Sequence, residues 1–140
     1  RVKESKYMNN DNKLKYLEFI QNTITRMASN SFMLKGWCIT IVAALIALSI
    51  KESDFRLYLA TIIPTIMFWV LDSYYLWQEK LFRHLYNEVR LLEEKDIDFS
   101  FDTRKYKRRG EFIQVIVNNG TTTGFYGTII FLLLVVCLIA

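Results

Sequence analysis

Glycine, proline, cysteine and histidine are all scarce in this chain: five Gly, one Pro, two Cys and one His in 140 residues. A phosphate-cradling loop or a nucleophile elbow needs glycines at fixed spacings, and neither pattern is present. Cys38 and Cys137 both lie inside apolar runs. They read as small packing residues, not as a disulfide framework or a paired metal motif. His84 stands alone on a charged segment with no Cys, His or Asp cluster beside it in sequence, so it reads as solvated or stacked, not as a metal ligand. Ser29, Ser31, Ser49, Ser53 and Ser73 have no identifiable base. No catalytic constellation can be read, so enzyme activity is not expected and no cofactor or metal is called for. Internal repeats and low-complexity tracts are also missing.

Apolar sequence is abundant, and it is unevenly spread. Hydrophobic residues make up 52% of the chain, gathered into long runs with the charges between them. A soluble domain of this length would mix the two along each element. The length suits one domain. No secretory signal is visible, because the first apolar run starts near residue 32 behind a long polar segment and lacks a small-residue cleavage pattern. The chain opens on Arg1, not Met, and is expected to be a trimmed or partial piece of a longer protein.

The runs predict an all-α membrane protein. In "LKYLEFIQNTITRM", residues 14–27, Leu14, Leu17, Ile20, Ile24 and Met27 recur at three and four residues, the mark of an amphipathic helix. "FMLKGWCITIVAALIALSI", residues 32–50, covers about 28 Å as a helix, close to the thickness of bilayer hydrocarbon. A polar turn, 51–56, leads to a second span from Leu57 to about Trp77, in which Pro64 is expected to kink the helix. Tyr74, Tyr75 and Trp77 mark an interface. No Gly or Pro separates this span from "EKLFRHLYNEVRLLEEK", residues 79–95, so one helix is expected to leave the membrane as an amphipathic stalk. "DIDFSFDT", 96–103, reads as a linker, since a lone short strand is marginal. A final span covers 121–140. The expected divisions are 1–31, a cytoplasmic N-terminal helix; 32–78, a transmembrane hairpin; 79–120, a cytoplasmic helix and basic linker; and 121–140, a third span.

Charge sets the expected orientation. Seven Lys and Arg precede or open the first span, and nine lie between the second and third, from Lys80 to Arg109. Only Lys51 and Arg56 occupy the turn. The positive-inside rule then places the N-terminus and both long polar regions in the cytoplasm of a multi-pass inner-membrane protein.

Two charges sit inside the apolar segments. A charge at the centre of a bilayer costs about 2.5–3.5 kcal/mol even on insertion scales. Lys35 lies about 18 residues before the middle of the turn and Asp72 about 18 after it. Equal spacing from the turn of a hairpin means equal depth, roughly 27 Å from it at 1.5 Å per residue. Lys35 and Asp72 are therefore expected to pair, within or between subunits, either as a lock on the hairpin or as part of a polar path. The basic run Arg104, Lys105, Lys107, Arg108 and Arg109 is expected to bind anionic lipid and fix topology, not nucleic acid. "NNGTTTG", 118–124, offers small and hydroxylated residues for close helix packing or for a polar vestibule.

The runs "LEFIQNTITRMASNSFMLKGW" and "FWVLDSYYLWQEKLFRHLY" resemble small bacterial multi-span membrane effectors of nucleotide-signalled antiphage defence, of the SLATT-like or four-span type. The likeness covers residues 17–90: a pre-membrane helix, a tight two-span hairpin and an amphipathic helix emerging from it. It implies a homo-oligomer that permeabilises the inner membrane when a cytoplasmic protein or nucleotide signal arrives. This chain departs from the two-span version by its third span and by having no separate ligand-binding domain. A non-conducting scaffold that holds a soluble partner on its cytoplasmic helices is the other expectation.

Overall fold

The computed structural model describes the backbone of residues 2–52 and 55–139, and the side chains of 11–51, 56 and 58–135. The middle of the turn, the cations Arg1, Lys3 and Lys6, and the packing expected of Cys137 lie outside the described residues. The chain is all-helical, with no strand among the described residues. Its elements are α1 (Val2–Glu52), α2 (Phe55–Ala60), α3 (Ile62–Val89), α4 (Glu111–Asn118) and α5 (Gly120–Ile139). Short 3-10 turns at Glu94–Asp96 and Arg104–Tyr106 punctuate the loop between α3 and α4.

The amphipathic segment and the first apolar run are one uninterrupted helix. α1 holds no Pro and a single Gly, so nothing breaks its ladder of hydrogen bonds over 51 residues, about 76 Å at 1.5 Å per residue. It packs along α3. The residues Asp11–Lys51 and Tyr58–Val89 form two helical segments long and apolar enough to cross a membrane, and Gly120–Val135 is a shorter apolar helix.

Pro64 acts differently from the expected mid-span kink. The interruption falls at Thr61, and Pro64 stands in the first turn of α3, where its missing N–H would have no partner anyway. A proline ring also clashes with the carbonyl four residues before it, here Ala60, so the helix must end ahead of it. Side-chain hydroxyls reinforce the backbone bonds on either side of the break. The Thr61 hydroxyl donates to the Tyr58 carbonyl at 2.6 Å, and the Thr65 hydroxyl donates to the Thr61 carbonyl at 2.8 Å.

Two cores hold the helices. At the loop end, here called the stalk, Tyr16, Ile20 and Ile24 of α1 meet Leu85 and Val89 of α3 and Ile97 of the loop. Of the repeat read from the sequence, Ile20 and Ile24 enter this core, Leu17 packs at its edge and Leu14 is exposed; Tyr16 joins in its place. The Lys13 ammonium closes the end of α3, donating to the carbonyls of Arg90 at 3.1 Å and Leu92 at 2.6 Å; a cation there complements the helix dipole. In the apolar half, Cys38 and Val42 of α1, Tyr58 of α2, and Tyr126 and Leu133 of α5 form the second core. The Tyr58 hydroxyl donates to the Leu133 carbonyl, so α5 runs antiparallel to α3.

Ile20 is fully buried in the stalk core, whereas Phe19 beside it is 60% exposed. Ile20→Ala is expected to destabilise the protein by about 2–5 kcal/mol through the cavity it leaves, and Phe19→Ala by less than about 0.5 kcal/mol. Thermal unfolding in detergent, followed by circular dichroism, checks both.

Candidate functional site

The buried polar seam between α1 and α3 lies where the two helices pass from the stalk into the apolar half. Ser31 and Lys35 are four residues apart on α1 and share one face. Asp72 faces them from α3 and is wholly buried. Lys35 Nζ stands 2.5 Å from Asp72 Oδ2, with 15% of the lysine side chain exposed. The same ammonium donates to Ser31 Oγ at 3.0 Å, and the Ser31 hydroxyl donates to Asp72 Oδ1. Each carboxylate oxygen therefore has its own donor, which is what a buried charge requires. Sequence spacing brings Lys35 and Asp72 to one depth; the structure brings them together within one chain.

One further hydroxyl borders this cluster. The Tyr126 hydroxyl is buried beside Asp72 without a hydrogen bond of normal geometry; Ser73 Oγ, on the next residue of α3, is also buried and without a partner. Tyr126 is held there by stacking on Trp69, with ring centres 6.2 Å apart and planes 10° from parallel. The seam therefore joins α1, α3 and α5. Its chemistry is that of held charge. Lys35 serves as donor to both partners, and the hydroxyl proton of Ser31 is directed to the Asp72 carboxylate. Among the described residues, no group of three or more His, Cys, Asp and Glu stands close enough to hold a metal ion.

The basic run lies on the loop that returns from the stalk, and its five cations divide. Arg104 is bound to Asp102 through Nη2 at 2.6 Å and through Nε at 2.9 Å. Lys105 pairs with Glu88 at 2.6 Å, and the Tyr106 hydroxyl donates to the other Glu88 oxygen at 2.7 Å. Lys107 lies over the Trp77 ring, 5.2 Å from its centre. Arg108 and Arg109 are exposed. Among the described residues, Lys107, Arg108 and Arg109 make no salt bridge.

These pairs shift titrations in the expected directions. Hydrogen bonds from the Arg104 side chain and backbone hold the Asp102 carboxyl down at about 2. Hydrogen bonds from Lys105 and Tyr106 lower Glu88, and the bond to Glu88 raises Lys105. His84 stacks on Tyr106, ring centres 6.0 Å apart.

The same loop builds an aromatic wall on the stalk. Phe99 takes a left-handed backbone conformation, φ 53°, unusual for a bulky residue. Local side-chain bonds fold the loop around it: Asp98 Oδ1 accepts from the Ser100 amide and Ser100 Oγ from the Asp102 amide. The Tyr16 hydroxyl donates to the Ser100 carbonyl, and its ring meets the edges of Phe99 and Phe101. Phe19, Phe82 and Phe101, with Asn22 and Arg26, line an open groove beside it.

The chain matches no family model, no curated protein and no solved structure.

Sequence reasoning missed Ser31 and Tyr126 as members of the charge cluster. The four-residue step from Ser31 to Lys35 was the available signal for the first. Tyr126 is 54 positions from Asp72, on an element whose depth nothing in the sequence ties to the hairpin. The division of the basic run was half legible: Asp102 is two residues from Arg104, but Glu88 is 17 from Lys105.

Removing one member of a buried pair leaves the other uncompensated. Lys35→Met is therefore expected to destabilise the protein by about 3–5 kcal/mol, and the double change Lys35→Met with Asp72→Leu to recover most of that loss. A double-mutant cycle of unfolding midpoints measures the coupling. Asp102 should titrate near 2 by carboxyl carbon resonance, against about 3.9 for an ordinary Asp, and Arg104→Gln should raise it toward that value while the backbone amide of residue 104 still holds it below. Because the folded value is the lower one, the pair supports the loop above about pH 3.9 and that support fades as pH falls through the folded value.

Proposed function

We propose that this chain is a multi-pass membrane effector that assembles with copies of itself and permeabilises the bacterial inner membrane when a signal reaches its stalk. The observation that carries this reading is the complete charge cluster Ser31–Lys35–Asp72, buried between two helices that are otherwise long and apolar enough to cross a bilayer. Ionisable groups at such positions are costly and typically belong to ion or proton paths. With the pair closed, α1 and α3 satisfy each other and the route between them is shut. When the helices separate or exchange partners with a second copy, the same groups line a polar path. Tyr126 adds a hydroxyl to that lining.

In this reading the N-terminus, the stalk and the basic loop are cytoplasmic, and lipid covers the apolar half. The likeness to antiphage-defence effectors supports the same role, with a cytoplasmic protein or nucleotide signal as trigger. The chain's own features support membrane insertion and a buried charge; the trigger and the defence setting rest on the likeness alone.

A second reading is favoured by one observation. Phe19, Phe99 and Phe101 are exposed on the stalk, at 60%, 43% and 45%. An exposed aromatic cluster rimmed by polar groups marks a protein-binding surface. A non-conducting scaffold that holds a soluble partner there accounts for the groove as well as a triggered effector does.

Reconstitution in liposomes separates the two. The effector reading expects dye or ion leakage from a defined oligomer, and at least a tenfold fall in leakage for Asp72→Ala with the oligomer intact. Tight liposomes around a stable oligomer, also after its cytoplasmic partner is added, would favour the scaffold.

A further inference from the structure

The basic run and α4 together have a feature that neither reading above uses. α4 is anchored at both ends to the helix that carries Asp72. Trp69 Nε1 donates to the Ile116 carbonyl at 3.2 Å, and Trp77 Nε1 donates to Glu111 Oε2 at 3.3 Å. The two indoles lie three residues before Asp72 and five after it, so α4 sits at the depth of the charge cluster. Phe112 packs against Tyr74 and Trp77, and Val115 is buried. The opposite face is apolar and open: Ile113 is 64% exposed and Val117, one turn on, is 56% exposed.

Directly before α4 come Lys107, Arg108 and Arg109, the three cations of the run that make no salt bridge among the described residues. Lys107 is fixed over Trp77, and Gly110, at φ 83°, turns the chain from this triplet into the helix. Arg104 and Lys105, the other two, already spend their charge on Asp102 and Glu88.

We propose that α4 and its preceding triplet form an anionic-phospholipid site at the inner surface of the bilayer. Ile113 and Val117 enter the boundary between headgroups and acyl chains, and Lys107, Arg108 and Arg109 hold the phosphates above them. The occupant follows from charge complementarity and from the indole belt at this depth, the pattern of an interfacial helix with a basic flank. The proposal rests on the membrane reading but not on conduction.

The test reads lipid retention, not leakage. The full chain in neutral detergent is titrated with phosphatidylglycerol or with phosphatidylcholine, and bound lipids are counted by native mass spectrometry. The expected result is tighter retention of phosphatidylglycerol. The triple variant Lys107→Gln, Arg108→Gln, Arg109→Gln should lose roughly a hundredfold of that affinity, at about fivefold per cation. The double variant Arg104→Gln, Lys105→Gln should keep it, with circular dichroism showing both variants folded. Equal losses in the two variants would overturn the division of the run. No preference for phosphatidylglycerol, or its displacement by millimolar inorganic phosphate, would overturn the lipid site. A spin label at Ile113→Cys, with Cys38 and Cys137 replaced by Ala, should be reached by oxygen more readily than by a water-soluble nickel reagent; the reverse order would overturn the insertion of α4. A protein that retains phosphatidylglycerol yet leaves liposomes tight would count against the effector and not against this site.

Discussion

A carboxylate taken out of water needs donors at its own depth, and Asp72 meets that need from a single face of α1. This requirement fixes more than one pair of residues. Lys35 and Ser31 must lie opposite Asp72, so α1 and α3 cannot slide by a turn without stranding a charge. With that register set, Tyr16, Ile20 and Ile24 arrive opposite Leu85 and Val89 in the stalk, and Cys38 and Val42 arrive where Tyr126 and Leu133 can pack on them. A hydrophobic stripe alone tolerates a shift of one turn, because one Leu or Ile replaces another with little loss. A buried ion pair does not, and holding register is its best-attested use.

The two cores are held by different forces. In the stalk, aliphatic and aromatic side chains leave water, and the hydrophobic effect drives α1 onto α3. In the proposed membrane setting, lipid around the apolar half would be as apolar as the protein, so association there would depend on close packing and on hydrogen bonds. Beside Tyr58, Tyr126 and Leu133, the buried positions of this half include the small or hydroxylated Cys38, Thr61, Thr65, Ser73 and Thr122, while bulky Phe32, Ile50, Ile63 and Phe131 face outward. The polar "NNGTTTG" stretch belongs to this scheme. Thr122 is buried, and Thr123 donates to the carbonyls of Ile116 and Val117, binding α5 to α4.

Much of this was legible in the residues. Ile20 and Ile24 of the helical repeat in 14–27 meet Leu85 and Val89 of the amphipathic segment 79–95 in one core. The depth argument for Lys35 and Asp72 needed only the rise of a helix and the position of the turn. What the sequence hid was tertiary. Pro64 pointed to a break in the second apolar segment, but a proline acts on the carbonyl four residues behind it, so the break stands at Thr61. Residues 111–118 fell within the stretch 79–120 read as a helix and basic linker; Trp69 and Trp77, on another helix, fix them as a helix of their own at the depth of Asp72. The basic run looked uniform because its acidic partners, apart from Asp102, are distant in sequence.

α1 has no joint. A helix of 51 residues without a proline transmits torque from one end to the other. Lys35 projects from it at a radius of about 5–6 Å, so a twist of roughly 20° sweeps that side chain sideways by about 2 Å, close to the whole length of its contact with Asp72. In the proposed effector the stalk would serve as a lever arm: a partner gripping the aromatic wall around Phe19 and Phe101 would grip α1, and rotation, not bending, would carry that grip to the bolt between Lys35 and Asp72.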